Sequence, residues 1–292
     1  MSRPAAADTT VAPRGFATLA GALAALPEAR ILDVRDEEAF AGGHIEGSSR
    51  ISREEFGPRR AELPARETPV LVVHESAARA LEAAEALAAM GYAHAAWLDR
   101  PLGEEPGARA SHAPASRLWS PSAFIEREAR RARDRRPGPG RALDLACGSG
   151  RAAVFLALEG WDAEGWDVDA SALERAQALA ARHGAGARFA LVDLEGDTPP
   201  EPAAPFDLIV VVRFLHRPLF PWIERSLAPG GILLYETFRE GQQRFGSPRR
   251  ARHLLRSGEL TTTFPSLVVE HHEDTPADAP PLLARLVARK PI

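Results

Sequence analysis

Residues 142–151 read ALDLACGSGR, and this stretch decides the fold. Apolar residues surround one acid, Asp144. The chain then turns through Gly148, Ser149 and Gly150 before helix-forming sequence begins. Glycines allow a tight turn and let the backbone approach a ligand closely. The helix that follows offers unpaired N–H groups and the positive end of its dipole. The stretch therefore predicts a strand, a turn and a helix that bind a nucleotide cofactor.

The sequence around this stretch alternates between strands and helices. Apolar runs predict strands at 142–145, 161–166, 187–192, 206–212, 231–238, 266–271 and 282–288. Helices are predicted at 121–135, 152–158, 170–182 and 219–227. Because no long helix separates the last two strands, we expect them to pair antiparallel. The pattern predicts an α/β domain with a largely parallel seven-stranded sheet and an antiparallel last strand.

A smaller α/β domain is predicted before it. Strands are expected at 30–34, 69–73 and 95–98, and helices at 16–26, 53–63 and 76–90. The stretch 104–117 is rich in Gly, Pro, Ala and Ser and has no apolar periodicity, which is typical of a linker. The predicted domains are therefore 14–103 and 118–292, joined by 104–117.

The composition of the chain argues against several classes of function. The chain has 292 residues and a net charge of -4, so no basic excess points to nucleic acid. Its only cysteine, Cys147, excludes an intramolecular disulfide and a zinc site built from cysteines, and we expect no metal site. No apolar stretch is long enough for a membrane span, and the first residues lack the apolar part of a signal peptide. We expect a cytoplasmic protein without membrane contact.

Two further acids end predicted strands. Asp167 follows the strand after the glycine turn, where a carboxylate in a doubly wound sheet accepts both ribose hydroxyls of a nucleoside. Asp193 ends the next strand, where a side chain reaches an adenine amino group. Asp169 lies two residues beyond Asp167 and is predicted to cap the following helix.

The motifs LDLACGSGR, GWDVDASALERA, LVDLE, FDLIVVV and LAPGGILLYE, in this order, resemble the class I S-adenosylmethionine-dependent methyltransferases. The resemblance covers about 118–292 and implies a Rossmann-like sheet with S-adenosylmethionine as cofactor. It assigns the methionine part to Asp144 and the glycine loop, the ribose to Asp167, and the adenine to Asp193 with Leu194. The implied cofactor residues are Asp144, Ala146, Cys147, Gly148, Ser149, Gly150, Asp167, Val168, Asp193 and Leu194. For the Cys147 thiol, packing is favoured over chemistry.

The methyl acceptor is expected beyond the fourth and fifth strands. The candidates there are His216, Arg217, Tyr235 and Glu236, and this set resembles methyltransferases related to tellurite resistance and thiopurine methylation. Each has an alternative: His216 caps or packs on a helix, Arg217 pairs with a surface acid, Tyr235 is core, and Glu236 binds an arginine. The polar segment 239–260 follows, and the sequence leaves open whether it forms a lid.

The first domain resembles rhodanese-like domains. The resemblance rests on Asp33-Val34-Arg35, Phe40, Gly43-His44-Ile45 and Gly47. Active members carry a cysteine after the central strand, and His74 occupies that position here. Since a persulfide needs a thiol, we expect no sulfurtransferase activity. Arg79 keeps the family's basic position, whereas Glu75 adds a negative charge that opposes anion binding.

These observations predict an S-adenosylmethionine-dependent methyltransferase with a noncatalytic rhodanese-like domain. The expected acceptor is a small-molecule nucleophile, with a thiol or another chalcogen favoured. The alternative is a cofactor-binding regulatory or interaction protein without turnover. A protein partner, if there is one, is expected to bind through the rhodanese-like domain.

Overall fold

The computed structural model describes residues 12–100, 102, 110–111, 115–136, 138–196 and 201–292. The chain divides into two compact units, Met1–Trp119 and Ser120–Ile292. The predicted linker, 104–117, lies mostly outside the described residues.

The first unit is an α/β structure with short strands. Its strands are β1 (Arg14–Phe16), β2 (Arg30–Asp33), β3 (His44–Ile45), β4 (Ser49–Arg50), β5 (Val70–Val73), β6 (Ala95–Leu98) and β7 (Ala110–Ser111). Its helices are α1 (Leu19–Ala25), α2 (Glu37–Ala41) and α3 (Ala77–Ala89). Five strands form a parallel sheet in the order β1-β6-β5-β2-β4. The other two, β3 and β7, pair antiparallel.

Local sequence explains most of this unit. All four residues of β5 are buried, as expected for a central parallel strand, and α3 packs its alanines on the sheet. The helix predicted at 16–26 is wrong at its start, because β1 comes first and α1 begins only after Thr18 caps it. The helix predicted at 53–63 is also wrong, because two short 3-10 turns, Arg53–Glu55 and Arg60–Glu62, occupy that stretch.

The second unit contains the longer sheet. Its strands are β8 (Arg141–Leu145), β9 (Asp162–Asp167), β10 (Arg188–Leu191), β11 (Phe206–Val212), β12 (Leu227–Phe238), β13 (Val268–Asp274) and β14 (Leu283–Arg289). Its helices are α4 (Ala123–Asp134), α5 (Arg151–Leu158), α6 (Ala170–Arg182), α7 (Phe220–Ser226) and α8 (Glu259–Thr263). Short 3-10 turns lie at Arg217–Leu219, Gln242–Arg244 and Ala251–His253.

The strand order is β10-β9-β8-β11-β12-β14-β13. The first five strands are mutually parallel, and β14 is antiparallel to both β12 and β13. This confirms the predicted seven-stranded sheet and its antiparallel last strand. The chain order reverses at β8, whose neighbours β9 and β11 lie on opposite sides. In such sheets the crevice at the carboxyl ends of the strands is where ligands bind.

Both faces of the central strands are covered. Four consecutive residues of β11, Leu208–Val211, are buried, and so are six consecutive residues of β12, Ile232–Thr237. A strand buried on both sides has no solvent face on which a polar side chain can be free. Within the described ranges, no helix has both the length and the apolar content needed to cross a bilayer.

Candidate active site

The turn between β8 and α5 has the left-handed backbone that its glycines predict. Gly148 has φ +52° and Gly150 has φ +77°, and Gly150 is the N-cap of α5. Ala146 also adopts a positive φ, +56°, which costs a residue with a Cβ about 1–2 kcal/mol. Backbone strain of this kind is held in place by the surrounding structure and concentrates at functional sites.

The two glycines of the turn face different surroundings. A Cβ added at Gly150 would lie 2.6 Å from the Cβ of Ala176 and 3.0 Å from the ring of Phe189. A Cβ added at Gly148 would meet nothing within 4 Å. Gly150 therefore permits close packing of α5 on its neighbours, whereas Gly148 borders open space that a ligand can occupy.

Asp144 lies under this turn as a buried carboxylate. Its Oδ2 accepts a hydrogen bond from the N–H of Ala153 at 3.0 Å, and the residue is 2% exposed. Burial raises the pKa of Asp144 to about 7; the nearby charge of Asp167 acts in the same direction, and the Ala153 N–H opposes both. No cation pairs with Asp144 among the described residues, so the carboxylate is suited to a cationic group of a ligand.

The raised pKa of Asp144 predicts a pH-dependent stability. Because the folded pKa lies above the unfolded value, the contribution of Asp144 is greatest below about pH 4 and is lost as the pH rises through about 7. At pH 8 we expect Asp144→Asn to raise the free energy of unfolding, by about 4 kcal/mol at most, and to have little effect at pH 4. Denaturant unfolding of the ligand-free protein at both pH values measures this. An equal effect at both would contradict it.

Asp167 joins the ends of two neighbouring strands. Its Oδ2 accepts the Gly148 N–H at 2.7 Å, and its Oδ1 accepts the Asp169 N–H at 2.9 Å. Each carboxylate oxygen keeps a further lone pair, which leaves acceptor capacity for two hydroxyls. Asp169 caps α6 through Ser171, as predicted.

The adenine candidates divide between surface and core. Asp193 is exposed, and its Oδ1 accepts the N–H of Glu195 at 2.9 Å. Leu194 is 5% exposed and packs in the core, so its side chain is not available to a ligand. Val168 is 64% exposed directly beside Asp167, which leaves an apolar surface for a flat ring to cover.

Cys147 is buried against the sheet. Its Sγ lies 2.9 Å from the position that a Cβ on Gly165 would take. Burial, with the charges of Asp144 and Asp167, raises the pKa of the thiol. A thiol held neutral in this position packs and is not a nucleophile. Cys147 can contribute its backbone, and not its side chain, to a cofactor.

Two acceptor candidates lie in the core. Tyr235 is 1% exposed, donates its hydroxyl to the carbonyl oxygen of Phe214 at 3.0 Å, and contacts the rings of Phe220 and Phe264. Glu236 is fully buried, and its Oε2 accepts from Nε of Arg285 at 2.7 Å. This corrects the assignment of both to the acceptor site, because β12 is covered on both faces.

Arg217 is tied to the segment 239–260. It forms a two-pronged ion pair with Glu259, at 2.5 and 2.8 Å, and donates to the carbonyl oxygens of Arg252 and Leu254. The hydrogen bonds with Glu259 raise the pKa of Arg217 and lower that of Glu259. Arg217 therefore positions this segment, which is the ion-pair alternative foreseen for it.

His216 lines a cavity, and its imidazole makes no hydrogen bond to any residue that the structure describes. The cavity has a volume of about 340 Å³ and lies where β11 ends. Its lining residues are Glu195, Leu215, His216, Arg217, Pro218, Arg252 and His253. Sequence reasoning missed Glu195, Arg252 and His253. The arginine content of the segment 239–260 was the signal that could have identified the last two.

In the first unit, His74 fills the position of the missing cysteine. Its Nδ1 accepts the N–H of Ser76 at 2.8 Å, so the ring occupies one donor of the loop. Burial and the charge of Arg79 lower the pKa of His74, which favours the neutral ring. Glu75 pairs with Arg35 at 3.2 Å beside a cavity of about 450 Å³. That this domain lacks sulfurtransferase activity stays a prediction.

Metal-binding groups do not cluster in the described part of the chain: no three His, Cys, Asp or Glu side chains are placed to hold an ion together.

Comparison with known families matches both predicted domains. Residues 17–100 match the sequence profile described as a rhodanese-like domain, and residues 142–231 match that of a methyltransferase domain. The chain joins a rhodanese-like domain to a methyltransferase domain. The methyltransferase match, with the glycine turn at the switch of strand order, identifies S-adenosylmethionine as the cofactor of the second domain.

Among curated proteins, the chain is similar to a ribosomal protein L11 methyltransferase of Thermus thermophilus, with 40% identity over 105 residues. It is also similar to a ribosomal RNA small subunit methyltransferase C of Alcanivorax borkumensis, with 31% identity over 112 residues. Each match covers 35% of this chain. The chain spans 40% of the first relative and 33% of the second.

Solved structures similar to the chain include TehB from Haemophilus influenzae, with a TM-score of 0.47 and 18% identity. That match covers 56% of this chain and 61% of TehB. The N-methyltransferase NodS from Bradyrhizobium japonicum has a TM-score of 0.47 and 22% identity. It covers 59% of this chain and 99% of NodS.

Proposed function

We propose that the methyltransferase domain transfers the methyl group of S-adenosylmethionine to a small-molecule nucleophile, with a thiol or another chalcogen favoured. The main support for this proposal is that the domain has two spaces, an open space at Gly148 and a separate cavity at His216. Both lie at the carboxyl ends of the parallel strands, where ligands of such sheets bind. The volume of about 340 Å³ is in the range of small-molecule pockets.

The residues around the turn fit the cofactor. The buried carboxylate of Asp144 has no cation beside it among the described residues, and it therefore suits the ammonium group of the methionine part. The spare lone pairs of Asp167 suit the ribose hydroxyls, and exposed Val168 suits one face of the adenine ring. Asp193 and the backbone of Leu194 follow the end of β10, and their proposed role is to bind the adenine edge.

The bound cofactor supplies a methyl group on a sulfonium, from which a neutral thioether leaves with the electron pair of the broken bond. The work of the chain is to align the acceptor with that methyl group and to exclude water. A thiolate forms the new bond without losing a proton. A hydroxyl or amine acceptor must release one, and the proposed role of His216, which lines the cavity, is to accept that proton on its imidazole.

Mutation of Asp167 tests the cofactor site. We expect Asp167→Ala to weaken S-adenosylhomocysteine binding by about 10- to 150-fold, because charged hydrogen bonds to the ribose are lost. Isothermal titration calorimetry on the full chain measures this. Asp169→Ala removes the same charge two residues away and is the matched control, expected to affect the α6 cap and not the affinity.

A second variant separates ribose binding from loop order. Asp167→Asn keeps an oxygen for the Gly148 N–H, so a loss of affinity in this variant reports on the ligand. Wild-type protein that binds neither S-adenosylmethionine nor S-adenosylhomocysteine would refute the proposal. Binding without turnover on any acceptor would favour the regulatory alternative.

Mutation of His216 tests the proton acceptor. We expect His216→Ala to lower kcat by about 100- to 10,000-fold for a phenol acceptor, since a general base contributes that much. With the corresponding thiophenolate we expect little change. The cofactor affinity, measured in parallel, should remain that of the wild type. Equal losses with the two acceptors would remove His216 from this role.

The rhodanese-like domain is proposed to be noncatalytic and to serve as a surface for a protein partner. The support is His74, whose ring accepts a loop N–H where a nucleophilic thiol would stand. A thiosulfate-to-cyanide assay tests the first part, and measurable transfer would refute it.

A further inference from the structure

The cavity at His216 is lined in part by basic side chains. Arg252 and His253 line it from the segment Arg239–Arg256, which contains six arginines and one histidine against a single acid, Glu240. The ion pair with Glu259 and the carbonyl oxygens of Arg252 and Leu254 hold this segment in place through Arg217. The cationic segment is thus fixed beside the cavity.

The arginines that line the cavity differ in their partners. The guanidinium of Arg217 is neutralised by Glu259. Arg252 is exposed, takes part in no ion pair within the described ranges, and donates Nε–H to Nε2 of His253 at 3.0 Å. Since that bond uses only Nε, both terminal nitrogens of Arg252 stay available to donate to a carboxylate or phosphate.

One acid also lines the cavity. Glu195 is exposed and lies two residues beyond Asp193, on the side of the adenine candidates. Its charge opposes an anion, whereas Arg252 attracts one. Arg249 and Arg250 precede Arg252 in the chain and are exposed, with no ion pair among the described residues, but neither of them lines the cavity.

We propose that this cavity binds an anionic acceptor, a small molecule whose carboxylate or phosphate pairs with Arg252 while its nucleophile lies near His216. The inference rests on the proposed methyltransferase function and adds the charge of the acceptor. Arg252 would be a binding residue that fixes the acceptor's orientation, because a planar guanidinium holds an acid group in a defined geometry.

The test uses the full chain saturated with S-adenosylhomocysteine and a probe pair of equal shape, benzoate and benzamide. Titrations monitored by saturation-transfer NMR should show that benzoate binds about 5- to 30-fold more tightly than benzamide. The expected ratio is modest because Arg252 is exposed, and solvent screens its charge. Arg252→Gln should abolish the preference. The control Arg249→Gln makes the same charge change in the same segment outside the cavity lining and should retain it.

The outcomes separate the two proposals. Failure to bind S-adenosylhomocysteine would overturn the proposed function, and this inference with it. Normal cofactor binding without a benzoate preference, or an equal loss in Arg249→Gln, would overturn the anionic acceptor alone. The anionic acceptor would also be overturned if a short RNA displaced benzoate at a concentration far below that of benzoate. The arginines would then bind a polyanion. Unchanged melting of Arg252→Gln is expected, since its backbone carbonyl makes the contact with Arg217.

Discussion

Gly150→Ala is expected to destabilise the methyltransferase domain by about 2–5 kcal/mol. The left-handed φ of +77° costs an alanine about 1–2 kcal/mol. The added methyl group would lie 2.6 Å from the Cβ of Ala176 on α6, and overpacking typically costs a further 1–3 kcal/mol, roughly. Differential scanning calorimetry of the full chain measures the loss. A melting transition within about 1 °C of the wild type would contradict this account of the turn.

Gly148→Ala is the matched variant, because it makes the same chemical change two residues earlier. It carries a similar backbone cost, at φ +52°, but, apart from its two chain neighbours, its methyl group meets no atom of the described residues within 4 Å. We therefore expect a smaller loss of stability, about 1–2 kcal/mol, together with a loss of S-adenosylhomocysteine affinity of about tenfold or more. If Gly148→Ala binds the cofactor normally, the open space beside it is not the cofactor site.

The glycine turn could be predicted from the sequence. Residues 142–151 join an apolar strand, a glycine turn and a helix, and these local preferences agree with the packing that the sheet imposes. The same agreement made the antiparallel pairing of β13 and β14 predictable, since no helix separates them. At 53–63 the preferences are weaker, and contacts such as the Arg59–Glu62 ion pair accompany 3-10 turns in place of a helix.

The acceptor side could not be predicted in the same way. Tyr235 and Glu236 follow each other on β12, and alternation would place one of them facing solvent. Both are buried, because helices cover both faces of the sheet, and only the fold decides that. The partner of Arg217 lies 42 residues away in Glu259, and the cavity at His216 is lined in part by Arg252 and His253, more than 30 residues further along the chain. Contacts of this range leave no local pattern in the sequence.

The second large effect on stability is expected from the ion pair between Glu236 and Arg285 inside the sheet. Glu236 is fully buried, and the only side-chain donor to its carboxylate among the described residues is Arg285, which also pairs with Glu273 at 2.8 Å. Partial burial acts to lower the pKa of Arg285, but these carboxylates outweigh it and hold the pKa above its usual value. Arg285 thus keeps its positive charge, and its partner Glu236 has no access to water.

Arg285→Met should therefore destabilise the methyltransferase domain by about 3–5 kcal/mol at neutral pH, since a buried carboxylate is left without its counter-charge. Adding Glu236→Gln should restore most of that loss, because it removes the stranded charge. Glu273→Gln alone removes a half-exposed partner and should cost less than about 1 kcal/mol. Urea unfolding of the three variants measures these differences. If the double variant is as unstable as Arg285→Met, then the loss comes from packing of the arginine stem between β12 and β13, and the buried charge of Glu236 is not its cause.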